Sequence, residues 1–364
     1  MKSASPFRRV TIVGVGLIGG SLGLAIRRQN PRVIITGVDR RKVLDRARHR
    51  GAINVSEPSL ARAVENADLV ILATPLNRIK SLLPVIARSV SSQALVTDVG
   101  SVKAQIMNDA RMWFPKGNFI GGHPMAGSEH SGIQAAHPLL FENAIYVLTP
   151  LSKARVRAAT AFVRSVGARP LVMDAGVHDA VVATVSHLPQ LVAIALMNLA
   201  GSQPGMAKAC LQLGAGGFRD MTRVASSPFE LWKGIFPANR AKIQVVLRRL
   251  ERMLAGYRRS LTRADLRKIA AEFRRSQRLR NRIPSDMKGF LRPLPQLEVF
   301  LPDRPGMLAR LTGALARKNV NIRDIELIRV REGMGGMFRL SFESAREKER
   351  ARRTLHAARF AVER

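Results

Sequence analysis

The stretch VTIVGVGLIGGSLG, residues 10–23, decides the fold. A β-branched apolar run, Val10–Val13, leads into Gly14, Gly16 and Gly19 at the G-x-G-x-x-G spacing, and a helical pattern follows from Ser21 to Gln29. In a strand–loop–helix of this kind the first glycine permits a tight turn and the second lets backbone approach a pyrophosphate. The third lets helix and strand pack closely. Leu17 and Ile18 complete the loop, and the helix start offers free N–H donors at the positive end of its dipole. Asp39 ends the next predicted strand twenty residues after Gly19. A carboxylate there accepts from a ribose 2′-OH and repels a 2′-phosphate. The pattern predicts a dinucleotide site that takes NAD rather than NADP. Arg40 and Arg41, directly after Asp39, are the features that would favour NADP instead.

Working outward, short β-branched runs alternate with helical patterns through the first half of the chain, the signature of a parallel sheet with crossover helices. Strands are predicted at Val10–Val13, Val33–Val38, Leu69–Ala73, Ala94–Thr97, Phe119–Ile120 and Ile145–Leu148, with Arg169–Met173 at an edge. The fold class expected for residues 1–173 is therefore an α/β Rossmann-type domain. In such sheets ligands meet the carboxyl ends of the strands. Thr74 and Pro75, after the third strand, should line that crevice. TDVGSVK (97–103) brings Asp98, Ser101 and Lys103 to the same edge, with Ser101 either a ligand contact or a helix N-cap. The stretch GGHPMAGSEHSG (121–132) follows the next strand and holds more glycine than a structural turn needs. It reads as backbone approaching a ligand, with His123, Ser128 and Glu129 aimed into one space.

From about residue 174 the pattern turns helical. DAVVATVSHLPQLVAIALMNLA (179–200) is apolar on nearly all sides and is expected to be a buried helix; ANRAKIQVVLRRLERMLAGYRRSL (238–261) is a second long one. Residues 174–290 are thus expected to form an all-α domain, and Pro284, Pro293 and Pro295 mark a linker. Residues 295–364 start afresh as a small α+β unit of βαββαβ order. Its strands are predicted at 296–300, 321–331 and 336–342, its helices at 306–318 and 345–357, and its weak last strand near 360–362.

Composition narrows the function classes. No run approaches the roughly 18 consecutive apolar residues of a membrane span, and the N-terminal residues lack a leader pattern. A single cysteine, Cys210, excludes an internal disulfide and fits a reducing cytoplasm. The net charge of +34 raises nucleic acid as a partner. The excess is spread along the chain, however, and its densest part, residues 240–292, carries 17 Lys/Arg against four acids with one aromatic in its arginine-rich helix, Phe273. That offers no ladder for stacking bases. A basic exterior would instead steer a small anionic substrate.

VGLIGGSLG, TDVGSVK, GGHPMAGSEHSG, VSHLP (185–189) and GGFRDMTRVASS (216–227) occur in the order seen in prephenate dehydrogenases, and the chain resembles the prephenate/arogenate dehydrogenase family over nearly its whole length. LPDRPGMLARLTGALARKNVNIRDIELIR (301–329) is similar to an ACT domain. The resemblance implies oxidative decarboxylation of prephenate to 4-hydroxyphenylpyruvate with NAD as hydride acceptor, in tyrosine biosynthesis, with no metal. It implies that His123 accepts the hydrogen bond and proton of the ring hydroxyl, that Ser101 holds that pair in register, and that Arg223 binds the ring carboxylate. Glu129 would gate the pocket, Asp220 and Trp232 would share it, and His187 is either a pocket wall or a core histidine. Many relatives read His-Leu-Pro-His where this chain has Gln190 last, so any substrate contact there is a neutral hydrogen bond. A homodimer is implied, with L-tyrosine as feedback inhibitor at the ACT loop through Asp303, Gly306 and Met307. Two rivals share the glycine loop. An arogenate dehydrogenase differs by one pocket donor. A β-hydroxyacid dehydrogenase would need a catalytic lysine, for which Lys208 and Lys233 have no convincing setting, and would leave the His123 stretch unexplained.

Overall fold

The protein is described by a computed structural model covering residues 7–127, 130–282, 294–331 and 334–363. It divides into two compact units, Met1–Phe273 and Arg274–Arg364. The first opens with an eight-stranded sheet whose strands are β1 (Arg9–Val13), β2 (Ile34–Val38), β3 (Val55–Ser56), β4 (Leu69–Leu72), β5 (Leu95–Asp98), β6 (Phe119–Pro124), β7 (Ile145–Pro150) and β8 (Arg169–Val172). Helices α1 (Leu17–Gln29), α2 (Arg41–His49), α3 (Leu60–Glu65), α4 (Leu76–Ser89), α5 (Ala104–Trp113) and α6 (Val156–Ser165) cross between them. The strand order is β3-β2-β1-β4-β5-β6-β7-β8, all parallel except the β6–β7 pair. The two-residue β3 is too short to leave a periodic signal and was not foreseen from sequence.

Helices on both faces bury the central strands completely, so alternation gives way to continuous apolar runs. In β4, Leu69 and Ile71 join the core that holds Ile12, Leu22 and Phe162, while Val70 and Leu72 join the opposite core with Leu83 and Phe119. The chain reverses its direction of travel across the sheet between β1 and β4, and in open α/β sheets ligands bind at the carboxyl ends beside such a switch point.

The stretch at 121–132 is not the loose turn expected. Gly121, Gly122, His123 and Pro124 continue β6 and pair with β7, His123 opposite Val147. The two glycines serve packing rather than flexibility. A Cβ on Gly121 would lie 2.3 Å from Thr149 Oγ1 and 2.6 Å from Met107 Sδ, and one on Gly122 would lie 2.4 Å from the Asp98 carbonyl oxygen. Ser128 and Glu129 lie outside the described residues.

The helical region of the first unit comprises α7 (Ala175–Val182), a π-helical turn (Ala183–His187), α8 (Leu188–Gly201), short helices α9 (Ala207–Gln212), α10 (Gly216–Thr222), α11 (Phe229–Trp232) and α12 (Ile235–Ala238), then α13 (Arg240–Thr262). Helix α14 (Leu266–Arg280) runs across the division between the units. The run 175–201 is the one described helix with the length and apolarity of a membrane span, yet only 28% of its most apolar window is buried within the chain. Val177, Val181, Val185 and Leu199 are exposed, so the expectation of a fully buried helix fails. Its buried stations combine Val182, Ala183 and Ala193 with four polar residues, His178, Asp179, His187 and Gln190.

In the second unit, β9 (Gln296–Leu301), α15 (Met307–Arg317), β10 (Asp324–Arg331), β11 (Gly335–Ser341), α16 (Ala345–Ala357) and β12 (Ala361–Glu363) form the βαββαβ order read from sequence. The sheet runs β10-β11-β9-β12 and is antiparallel throughout. Leu297, Val299 and Leu301 of β9 alternate into a core with Leu311, Leu315, Leu340 and Leu355. The predicted linker prolines Pro284 and Pro293 lie outside the described residues.

Gly122→Ala should destabilise the protein by about 1–3 kcal/mol, the usual cost of overpacking, whereas Gly127→Ala, whose Cβ would meet nothing within 4 Å, should leave stability unchanged. Thermal melts of the two variants check this; equal melting temperatures would refute the packing role.

Candidate active site

Gly14 adopts φ +92, which a side chain would oppose, and its N–H donates to Val38 O at 2.9 Å. A Cβ on Gly19 would sit 2.0 Å from Gly14 O, whereas one on Gly16 would meet nothing within 4 Å. The first and third glycines are therefore demanded by packing, and the second faces open space at the start of α1, where no side chain caps the helix. Asp39 is half-buried and accepts from the Val15 N–H at 2.8 Å and its neighbour Arg40 N–H at 2.7 Å, which holds the loop in place. Its carboxylate retains lone pairs for a ribose hydroxyl. Thr74, whose methyl lies against Gly14, has a buried hydroxyl without a protein partner. Pro75 is exposed and sits at the N-cap position before α4, as Arg40 does before α2. Leu17 and Ile18 form the half-buried first turn of α1. An open backbone cradle, an unspent hydroxyl and an acid at the second strand fit a dinucleotide.

The carboxyl ends of β5 and β6 are joined by a fully buried ion pair. Lys103 Nζ donates to Asp98 Oδ2 and, at 2.7 Å, to Gly122 O. Asp98 also accepts from Gly100 N at 2.8 Å and Gly122 N at 3.2 Å. Burial lowers the proton affinity of Lys103, and the Asp98 carboxylate opposes that effect.

The start of α5 is capped from another helix. Ser101 is half-buried in the preceding loop and is not its N-cap; the helix begins at Ala104. Its first amides are taken by Asp179 of α7, which accepts from Lys103 N at 2.7 Å and Ala104 N at 2.8 Å. Next to it, His178 Nδ1 lies 2.8 Å from Asp179 Oδ1, and His178 Nε2 lies 2.8 Å from His123 Nδ1. Asn239, at the start of α13, donates to Asp179 O at 2.8 Å and contacts His187 Nδ1 at 3.2 Å. One chain of polar contacts thus links α13, α7, α5 and the end of β6.

His187 is buried at the end of the π turn. Pro189 has no N–H to give to the preceding turn, and a widened turn accommodates that loss. Trp232 stands edge-on to His187 at 5.9 Å and stacks on Phe236 at 5.2 Å. Gln190 is buried and makes a structural tie. Its side-chain amide donates to Val224 O at 3.0 Å and ties α8 to the 3-10 turn that carries Arg223. Arg223 and Asp220 are exposed on this segment, and Glu129 lies outside the described residues. No cluster suited to a metal is present among the described residues.

Burial, followed by the fields of Lys103, His178 and His187, holds the His123 pKa well below the ordinary histidine range. Burial likewise pushes His187 down to about 4, against the pull of Asp179. Both rings are therefore neutral at neutral pH. In the second unit a pocket of about 440 Å³ is lined by Leu301, Asp303, Gly306, Met307, Leu327 and Phe338. Gly306 there has φ +82, with open space where a Cβ would stand.

His178, Asp179 and Asn239 were not recognised from sequence. The usable signal was the His-Asp pair on an otherwise apolar helix, because such groups are buried only with partners.

Residues 22–172 match the family model for the prephenate dehydrogenase nucleotide-binding domain, residues 174–275 that for the prephenate dehydrogenase dimerization domain, and residues 296–359 that for the ACT domain. The prephenate dehydrogenase of Bacillus subtilis is 33% identical over 357 residues, 96% of this chain and 95% of that protein. Among solved structures, the prephenate dehydrogenase of Aquifex aeolicus in complex with hydroxyphenyl propionate and NAD+ is 30% identical with a TM-score of 0.70, covering 76% of this chain and 98% of that one. The Synechocystis arogenate dehydrogenase is 29% identical with a TM-score of 0.68, covering 75% and 99%.

Because the His123 and His187 rings bind protons more weakly folded than unfolded, the unfolded chain takes up the excess protons as pH falls below its histidine value of 6.5. Stability should therefore be full above that pH and decline from it towards about 4. His187→Asn should flatten part of this decline in melting temperature; an unchanged slope in that variant would contradict the assignment.

Proposed function

The chain belongs to the prephenate dehydrogenase family, and on that premise we propose the roles of its site residues. The reaction is the oxidative decarboxylation of prephenate to 4-hydroxyphenylpyruvate with reduction of NAD. When bound, the nicotinamide supplies the acceptor for the hydride that leaves the hydroxyl-bearing ring carbon. The protein's own part is to place the substrate and handle one proton. His123, neutral and fixed at the end of β6 by its 2.8 Å contact with His178, is the observation that carries this reading. Its ring accepts the hydrogen bond of the substrate hydroxyl and takes the proton as hydride departs. After the ring carboxylate leaves as CO2, the proton returns to the phenolate oxygen, so none is released overall. Aromatisation makes the sequence downhill.

We assign Ser101 to the hydroxyl end of the substrate and Arg223 to its ring carboxylate, where a guanidinium fork gives bidentate contact. Glu129, Asp220, His187 and Trp232 are assigned to the surrounding pocket. Arg223 is exposed in the single chain, on the turn that Gln190 anchors. The exposed apolar run Val177, Val181, Val185 and Leu199 supports a homodimer formed through the helical region. The single cysteine, Cys210, supports residence in a reducing cytoplasm. The likeness to an arogenate dehydrogenase gives the competing substrate. A steady-state assay crossing prephenate and arogenate with NAD and NADP separates the two readings, with prephenate and NAD expected to win.

His123→Asn should lower turnover of prephenate by roughly 10²–10⁴-fold, the span of a general base, while NAD affinity is retained. A variant keeping a third of the wild-type turnover would sink the assignment.

The pocket beside Gly306 and Met307, with Asp303 at its mouth, supports feedback binding of L-tyrosine at the ACT loop. A chain lacking residues 295–364 should stay active and lose inhibition by sub-millimolar tyrosine. Unchanged inhibition would place tyrosine at the active site instead.

A further inference from the structure

We infer that His178 and Asp179 are positioning residues that fix the tautomer of His123, so that its Nε2 is the unprotonated atom presented to substrate. This rests on the reading of His123 as the base. Asp179 Oδ1 already accepts from Lys103 N at 2.7 Å and Oδ2 from Ala104 N at 2.8 Å, so the carboxylate acts towards His178 as an acceptor. The 2.8 Å contact to His178 Nδ1 then requires the proton on that nitrogen. If His178 carries a single proton, that proton sits on Nδ1 and its Nε2 offers only a lone pair. The 2.8 Å contact between that atom and His123 Nδ1 requires the His123 proton to lie on Nδ1. The lone pair of His123 is thereby left on Nε2, where a hydroxyl proton can be received. With His178 singly protonated, each donor–acceptor choice follows from the preceding one, starting from two backbone amides.

Helix capping accounts for Asp179 and leaves His178 unexplained. His178 is 1% exposed on a run of apolar residues, where leucine would fill the space without a polar group to satisfy. Its ring stands edge-on to His123, with 5.1 Å between centroids. The geometry resembles a carboxylate–histidine arrangement extended by one ring, and the proton taken from substrate stops at His123 Nε2. No second transfer along the relay is required, because Asp179 serves only to hold the donors in place.

The test uses the full chain labelled with ¹⁵N-histidine, whose seven histidines are few enough to resolve. Long-range ¹H–¹⁵N spectra, assigned with His123→Asn and His178→Leu, should show His123 protonated at Nδ1 and bare at Nε2 in the wild type. A His123 protonated at Nε2 would overturn the inference without requiring any variant to fold. In kinetics, His178→Leu should lower kcat for prephenate about 100-fold, as lost outer support of a reactive imidazole commonly does. The KM values for prephenate and NAD should stay within about threefold. His178→Gln, which retains one acceptor and one donor, should restore kcat to within about tenfold of wild type. Retention of kcat within threefold in His178→Leu would overturn the inference while leaving the base role of His123 standing. That role falls separately, if His123→Asn remains active.

Discussion

The site depends on a buried ion pair. Lys103 and Asp98 have no exposed side-chain surface, and they meet each other and the backbone of Gly100 and Gly122. Taking two charges out of water carries a large desolvation penalty, recovered only when every lone pair and proton is satisfied. That requirement sets the spacing between the ends of β5 and β6 and so the position from which His123 projects. It also explains why residues 121 and 122 are glycine: the space a Cβ would occupy is filled by Thr149, Met107 and Asp98. Burial first, and then the Lys103 charge, keep the His123 ring neutral.

The second constraint comes from across the sequence. Asp179 ends the exposed amides of α5, satisfies His178 and, through its own carbonyl, engages Asn239. One residue of the helical region thereby caps a helix of the dinucleotide-binding region. The π turn that follows brings His187 to the same cluster while absorbing Pro189. The helical region therefore completes the hydrogen bonding of α5 beside the sheet's carboxyl edge.

What was legible in the sequence was local. The glycine spacing, Asp39, the alternation of strands and helices, and the βαββαβ order of the second unit all follow from neighbours within a few residues, and the structure has them. The resemblance singled out His123 as well. What was illegible depended on contacts between residues far apart in the chain, such as Lys103 with Asp179 and Asp179 with Asn239. N-capping was the alternative reading of Ser101, because local rules see only the nearest hydroxyl, and a carboxylate from another helix takes that task. The glycines of 121–122 looked like flexibility because glycine is associated with turns. Only the packed neighbours reveal that the missing side chains make room. Helix 179–200 looked buried because periodicity reports apolarity, and an exposed apolar face is as apolar as a core.

The tightness around Gly121 and Gly122 has an evolutionary side. Neither glycine can acquire a side chain while Lys103, Asp98, Thr149 and Met107 keep their places, and neither charge can be lost alone without stranding the other. Residues coupled this closely do not change additively. Neutral drift, which proceeds by single tolerated steps, has almost no path through such a set. The strand that bears His123 is thus protected by its neighbours' interdependence, and only a concerted replacement of several residues would let this wall of the site be rebuilt.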